Sequence, residues 1–215
     1  YIVSIVGKVD INKVLTFLEK SFKKKNKKLS LQKILEKHGK SVEKRNGLDQ
    51  AHYLFGIHAP KARDDKCYAF EIMDAYLASG MSSKLFLTIR EEKGLAYAIT
   101  SSFGPRKEFS YYTIYVGTTT EAIPQVEKLI LEGFQSVKSM TIKELDEAKE
   151  KLIGLRKIST EESINVMNSL LYEELSDNAE NYYNYENKIK QVTLKDVQEL
   201  ANLKNYSTAA IIPNS

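Results

Sequence analysis

The stretch from residue 80 to residue 97 restricts the fold most, because it reads as a short helix that ends abruptly and leads directly into a strand. Apolar residues repeat at helical spacing in its first half: Leu85, Phe86 and Ile89. Gly94 then supplies the left-handed residue on which helices commonly end. A strand pattern follows over residues 95–103. The break at Gly94 therefore places Arg90, in the last helical turn, and Tyr97, on the strand, on either side of one turn.

The other hydrophobic patterns predict an α+β fold. Apolar and β-branched runs predict strands over residues 1–6, 41–44, 51–58, 95–103, 109–118 and 207–212. Helical spacing and capping residues predict helices that begin near residues 11, 65, 82, 123, 142, 161 and 194. The apolar residues of 51–58 do not alternate cleanly, which allows a strand covered on both faces. We predict one domain, residues 1–215, in which helices pack on one face of a mainly antiparallel sheet.

Charge and composition argue against several classes of function. The 32 basic residues nearly balance the 28 acidic ones, and the dense lysine run of residues 23–28 lacks interleaved aromatic residues. We interpret that run as a solvated loop rather than a nucleic-acid site, which we keep as a minor alternative. No apolar run is long enough to cross a membrane, so we expect no membrane contact.

The single cysteine and the first residue carry two further expectations. Cys67 lies among apolar residues of a predicted helix and is expected to be a small packed residue. A chain without a disulfide fits a reducing compartment, and we expect a cytoplasmic location. The chain opens on Tyr1 and an apolar run, which we interpret as the start of a piece of a longer polypeptide.

Few residues offer catalytic chemistry on their own. The histidines are His38, His52 and His58; no His-x-x-x-His pair or Gly-x-Ser-x-Gly elbow occurs. We expect the histidines to be structural or exposed, and the chain to hold no metal. Arg90 suits the negative end of a helix, where pairing with a neighbouring glutamate is the ordinary interpretation. Tyr97 is ordinarily a core or hairpin residue. Together, a guanidinium and a phenol are also able to hold a peptide carbonyl oxygen.

The same stretch resembles the signature of the C-terminal half of M16 family metallopeptidases, which include insulin-degrading enzyme, pitrilysin and the mitochondrial processing peptidases. The match is carried by Gly80–Phe86 and by Arg90–Tyr97. Val6–Asp10 resembles the strand and turn after the family's mid-chain linker, and Thr193–Val197 resembles its C-terminal helix start. The resemblance therefore spans nearly the whole chain and implies the fold of the LuxS/MPP-like metallohydrolases.

The resemblance also implies a divided active site. Family members have two similar halves: the N-terminal half binds zinc through His-x-x-Glu-His and a distal glutamate, and the C-terminal half supplies an arginine and a tyrosine that hold substrate. These two map onto Arg90 and Tyr97, whereas the zinc motif is missing from this sequence. We therefore expect zinc in a partner N-terminal half, on the same polypeptide or a separate subunit.

Two functions follow from the resemblance. In the first, the chain is the substrate-binding half of a zinc-dependent endopeptidase, acts on peptides and is inactive alone. In the second, it is a noncatalytic structural or pairing subunit of the same family. The loop Ala78–Met81 lacks the glycine-rich run of the noncatalytic α-type processing-peptidase subunits, which speaks against a substrate-guiding role of that kind.

Overall fold

Five strands and seven α-helices make up the computed structural model, which describes residues 2–22 and 34–214. The strands are β1 (Lys40–Arg45), β2 (Ala51–His58), β3 (Ala96–Pro105), β4 (Ser110–Thr118) and β5 (Ser207–Pro213). The α-helices are α1 (Ile11–Ser21), α2 (Lys66–Leu77), α3 (Ile123–Ser136), α4 (Ile142–Ser159), α5 (Ser163–Ser176), α6 (Asn181–Gln191) and α7 (Leu194–Glu199). A π-helix spans Phe86–Glu92, and a short 3₁₀-helix spans Val137–Ser139.

The strands form one sheet in the order β1-β5-β2-β4-β3. β5 pairs in parallel with β1 and antiparallel with β2, and β4 pairs antiparallel with both β2 and β3. The predicted hairpin of β3 and β4 is present, with a register that runs from Ala96–Thr118 to Pro105–Ser110. The prediction of an α+β fold with a mainly antiparallel sheet is confirmed.

One face of the sheet carries the core. In β2, Tyr53 and Phe55 are fully or almost fully buried, while Leu54 and His58 on the other face are exposed. The buried face packs against apolar residues of α2, α3, α4 and α7. The interpretation of β2 as covered on both faces is therefore wrong, because its burial alternates residue by residue as in a half-buried strand.

The predicted strand at the start of the chain is also wrong for its described residues. Residues 2–6 form no strand, and Ile2, Val3 and Ile5 are each between 44% and 48% exposed. A strand needs a neighbour to pair its backbone groups, and no described strand pairs with this segment. Asp10 nonetheless caps α1 as predicted, accepting from the backbone of Asn12 and Lys13.

Two capping boxes fix the later helices where the sequence predicts them. Thr141 with Glu144 begins α4, and Thr193 with Asp196 begins α7.

In the part of the chain that the structure describes, no helix has both the length and the apolar character to cross a membrane. The lysine run of residues 23–28 lies outside the described residues.

Candidate functional site

The predicted helix that carries Arg90 is a π-helix rather than an α-helix. Its wider turn is visible where the backbone N–H of Lys93 donates to the carbonyl of Thr88, five residues earlier. Phe86 and Ile89 point into the core and hold the helix in place. π-helical turns are uncommon and occur frequently at functional sites, because they re-aim side chains without breaking the helix.

Arg90 is accessible and only loosely paired. Its side chain is 42% exposed, with Nε 3.8 Å from Oε1 of Glu91. The guanidinium carbon lies 4.8 Å from the ring centre of Phe86, which limits the side chain's freedom by a cation–π contact. The expected pairing of Arg90 with a neighbouring glutamate is therefore found. An exposed ion pair of this length contributes little to the stability of the fold.

Gly94 turns the chain from the π-helix into β3. Its φ of +62° lies in the left-handed region that favours glycine. Immediately after it, the N–H of Leu95 donates to the carbonyl of Ile89 at 2.9 Å, and the hydroxyl of Thr118 donates to the carbonyl of Leu95. These bonds tie the end of the helix to the start of the strand, so the turn has a fixed geometry.

Tyr97 lies in a β-bulge at the beginning of β3. Ala96 is in register with Thr118 and Ala98 with Gly117, which leaves Tyr97 as the extra residue. The Tyr97 side chain is 67% exposed. Bulges bend a strand and redirect a side chain, and they are common beside active sites. The sequence predicted the strand but gave no sign of the bulge.

The structure thus places both predicted residues on accessible backbone irregularities on either side of Gly94. Neither residue lines the cavity of about 340 Å³ beside the π-helix, whose wall includes Thr88, Glu92 and Lys151. Their assignment as site residues stays a prediction. Both side chains are exposed, and no described side-chain contact joins one to the other.

The nearby cavity belongs to helix packing. Lys151 of α4 donates to the carbonyls of Ala75 and Ser79, and so satisfies the C-terminal end of α2. Burial lowers the pKa of Lys151. No sequence signal reveals this contact, because the partners are more than 70 residues apart.

A second polar cluster lies between α2 and α6. The hydroxyl of Tyr185 donates to Glu71 at 2.6 Å, and burial raises the pKa of Glu71 to about 7. Arg156 stacks on the rings of Tyr182 and Tyr185. Tyr182 and Tyr185 of the tyrosine-rich stretch thus pack against neighbouring helices through Arg156 and Glu71.

Cys67 is buried, and burial raises its thiol pKa. A neutral, enclosed thiol is a poor nucleophile, so the prediction of a small packed residue is confirmed.

The histidines do not reproduce the zinc motif of the family. His52 bonds through Nδ1 to the hydroxyl of Tyr115 at 2.8 Å. Among the described residues, one group has side chains able to meet a single ion: Glu36, His38 and His58, whose ligand atoms all lie within 4.8 Å of one another. The sequence does not reveal this group, because His38 and His58 are 20 residues apart and come from separate segments.

That group does not fit the family's zinc. All three side chains are exposed, and Nε2 of His58 already lies 3.4 Å from the carbonyl of Lys37. Its two histidines, His38 and His58, come from separate segments, and neither lies on a helix, whereas the family motif holds both in one His-x-x-Glu-His stretch. The residues of this chain therefore do not fit the zinc site that the family implies, and no chemistry is assigned to a metal here.

The amino-acid sequence of this chain is similar to those of known zinc-protease-like proteins. The chain is 29% identical to "Uncharacterized zinc protease YmxG" of Bacillus subtilis over 165 residues, which cover 74% of this chain and 40% of that protein. It is 31% identical to "Non-peptidase homolog YmxG" of Helicobacter pylori over 181 residues, covering 77% of this chain and 40% of that protein. The chain thus matches less than half the length of these relatives.

Solved structures show the same fold. A protease from Helicobacter pylori superimposes with a TM-score of 0.83 at 19% identity, covering 97% of this chain and 54% of that one. The inactive peptidase domain from Bordetella parapertussis superimposes with a TM-score of 0.67 at 15% identity, covering 80% of this chain and 97% of that one. The family model described as the peptidase M16 inactive domain matches residues 2–152. The chain therefore belongs to the M16 peptidase family, as its inactive, C-terminal type of domain.

Proposed function

We propose that this chain is the substrate-binding half of a two-half M16 endopeptidase and that Arg90 and Tyr97 hold the peptide substrate. The observation that carries the proposal is the pair of backbone irregularities around Gly94. A π-helix carries the exposed Arg90 and a bulge carries the exposed Tyr97, with a hydrogen-bonded turn between them. The relatives named as zinc proteases support a peptide as substrate.

The chemistry of the two side chains suits a peptide carbonyl. A guanidinium offers several N–H donors in a fixed fork, and a phenol offers one O–H donor. Both are donors to oxygen, and both strengthen their hydrogen bonds when negative charge develops on that oxygen. Cleavage itself is assigned to the zinc-bearing half, because this chain lacks the residues for it.

The test uses the full-length protein with its preceding half. Tyr97→Phe removes only the hydroxyl and should lower kcat/KM for a peptide by about 100-fold, as loss of one oxyanion donor does. Arg90→Ala should also lower kcat/KM. The matched controls are Tyr183→Phe on α6, also strongly exposed, and Arg45→Ala on β1, which should leave the kinetics unchanged.

Unchanged kinetics in both site variants would refute the assignment. Loss of activity in the Tyr183→Phe control would show that the effect is not specific to Tyr97, and would refute the assignment as well.

A noncatalytic pairing role is the second candidate, and the relative named as a non-peptidase homologue favours it. The preceding half decides between the two. An intact His-x-x-Glu-His there supports the peptidase, whereas its loss supports the pairing subunit.

A further inference from the structure

Glu36, His38 and His58 do not fit the family's zinc motif, but they converge on one point. In the part of the chain that the structure describes, they are the one group of side chains able to meet a single ion. Each offers one ligand atom, and the three atoms lie within 4.8 Å of one another. The two imidazole rings have centres 5.4 Å apart and are nearly perpendicular, at 87°.

The sheet itself brings the two histidines together. β2 ends at His58, and Gly56 just before that end is in register with Ser207 at the start of β5. On the other side of β5, the backbone N–H of Gly39 donates to the hydroxyl of Ser207 at 3.2 Å. His38 directly precedes Gly39, so its backbone is held beside the start of β5. The proximity of His38 and His58 therefore follows from strand pairing.

The separation of the rings matches what one tetrahedral ion requires. A histidine nitrogen lies about 2.0–2.1 Å from Zn²⁺, and the ring centre lies about 1.1 Å farther along the same line, so two rings at the tetrahedral angle have centres about 5 Å apart. The distance found between His38 and His58 is 5.4 Å. All three side chains are exposed, so small rotations bring their ligand atoms to coordination distance without any change in the core.

The backbone beside the group selects one nitrogen of His58 for the ion. Nε2 of His58 lies 3.4 Å from the carbonyl oxygen of Lys37. A histidine that binds a metal usually donates its other ring N–H to a carbonyl or carboxylate, which fixes the tautomer. With Nε2–H directed at the Lys37 carbonyl, Nδ1 of His58 is left for the ion.

The set of ligands also selects the class of ion. Imidazole nitrogen suits Zn²⁺, Cu²⁺ and Ni²⁺, whereas Mg²⁺ and Ca²⁺ are bound through oxygen. Two neutral imidazoles and one carboxylate leave a dication with a net charge of +1, which surrounding water solvates at an exposed position. Three protein ligands leave the fourth tetrahedral position to a water molecule.

We propose that Glu36, His38 and His58 bind one transition-metal dication of the Zn²⁺ type, which ties residues 34–39 to the end of β2. The ion joins two segments that are distant in the sequence, and an ion that binds only the folded chain stabilises it. This differs from the expectation, drawn from the sequence, that the chain holds no metal.

The proposed metal site is separate from the candidate substrate site. His58 is in register with Tyr111 near the start of β4, whereas the bulge at Tyr97 lies beside Gly117 near its end. These positions on β4 are roughly 20 Å apart at about 3.3 Å per residue. The ion therefore has a structural role and takes no part in the peptide binding assigned to Tyr97.

The test measures Zn²⁺ binding to the untagged full-length protein after dialysis against a chelator. Calorimetric titration and elemental analysis should find one Zn²⁺ more per chain in the unmodified protein than in His38→Ala or His58→Ala, and Glu36→Gln should weaken binding of that ion. With Zn²⁺ at about 100 times its dissociation constant, the Tm of this domain should rise by about 5–10 °C. That rise should be lost in His58→Ala. The matched control is His52→Ala, which removes a histidine from the same strand and should keep the ion.

Equal Zn²⁺ content in the unmodified protein, His38→Ala and His58→Ala would overturn the proposal. Loss of the same ion in His52→Ala would also overturn it, because binding would then not depend on this group. So would a dissociation constant in the millimolar range, which would indicate adventitious surface binding only. Any zinc bound by a preceding half is present in every variant and cancels in the comparison, so the result is independent of the proposed function.

Discussion

Replacing Gly94 by alanine, beside a matched replacement of Gly47, tests whether the turn at Gly94 positions the candidate site or only stabilises the domain. Gly94 has φ of +62°, and a Cβ added there meets no atom within 4 Å. The cost is therefore confined to the backbone, about 1–2 kcal/mol for a non-glycine residue in the left-handed region. Gly47 is a matched control, because its φ is +74° and its added Cβ also meets no atom within 4 Å.

Two measurements on the full-length protein distinguish the two positions. In thermal unfolding, both variants should lower the Tm of this domain by a similar amount, about 2–4 °C per kcal/mol for a domain of this size. In peptide cleavage, Gly94→Ala should lower kcat/KM by about 10- to 100-fold, since small displacements of positioned groups are that costly. Gly47→Ala should leave kcat/KM unchanged. Gly94→Asn should have a milder effect on both, because asparagine tolerates the left-handed region.

The reasoning fails if Gly94→Ala leaves the Tm unchanged, because the left-handed turn would then not exist. It also fails if the two alanine variants have the same kcat/KM at the same loss of stability. In that case the turn is a structural element and does not position Arg90 and Tyr97 for a substrate.

Further predictions concern packing and pH. Gly133→Ala should destabilise the domain by about 1–3 kcal/mol, because its Cβ would lie 2.7 Å from Leu85 Cδ2 and 3.0 Å from Leu77 Cδ1. Gly154→Ala, in α4 with no atom within 4 Å, should instead stabilise it by roughly 0.5–1 kcal/mol, and chemical denaturation measures both. Burial raises the pKa of Glu71 from 4.5 to about 7. Between these two pH values the unfolded chain has released the proton and the folded domain still holds it, so the free energy of unfolding should fall as pH rises through this range. Glu71→Gln should flatten that part of the stability curve, and an unchanged curve would contradict the burial argument.

The sequence predicts most of the fold because its signals are local. Capping boxes at Thr141 and Thr193 and the glycine stop at Gly94 act within a few residues, and each is found where expected. The predicted strand at the start of the chain is wrong because a strand depends on a neighbour, and no pattern in the segment itself supplies one. The cytoplasmic location and the expected lack of nucleic-acid contact stay predictions.

The candidate site, like the fold, has features that the local sequence predicts and others that depend on distant contacts. Residue type and spacing single out Arg90 and Tyr97, and the resemblance gives them a role. The π-helix and the bulge that expose them could not be predicted, because each depends on registry with the core and with β4. The same holds for Lys151 and for the pairing of His38 with His58, whose partners are distant in sequence.

The two irregularities favour a functional turn over a purely structural one. An α-helix and a regular strand would satisfy the same backbone groups with better geometry, so a domain that only packs against a partner has no need of a π-helix and a bulge within 13 residues. Local departures from regular structure persist where they serve a site. Here each departure carries an exposed donor side chain, Arg90 on the π-helix and Tyr97 in the bulge. A pairing subunit would still need the buried Phe86 and Ile89 for its core but would not need Arg90 and Tyr97 to be exposed, and kcat/KM of the Gly94 variants measures this difference.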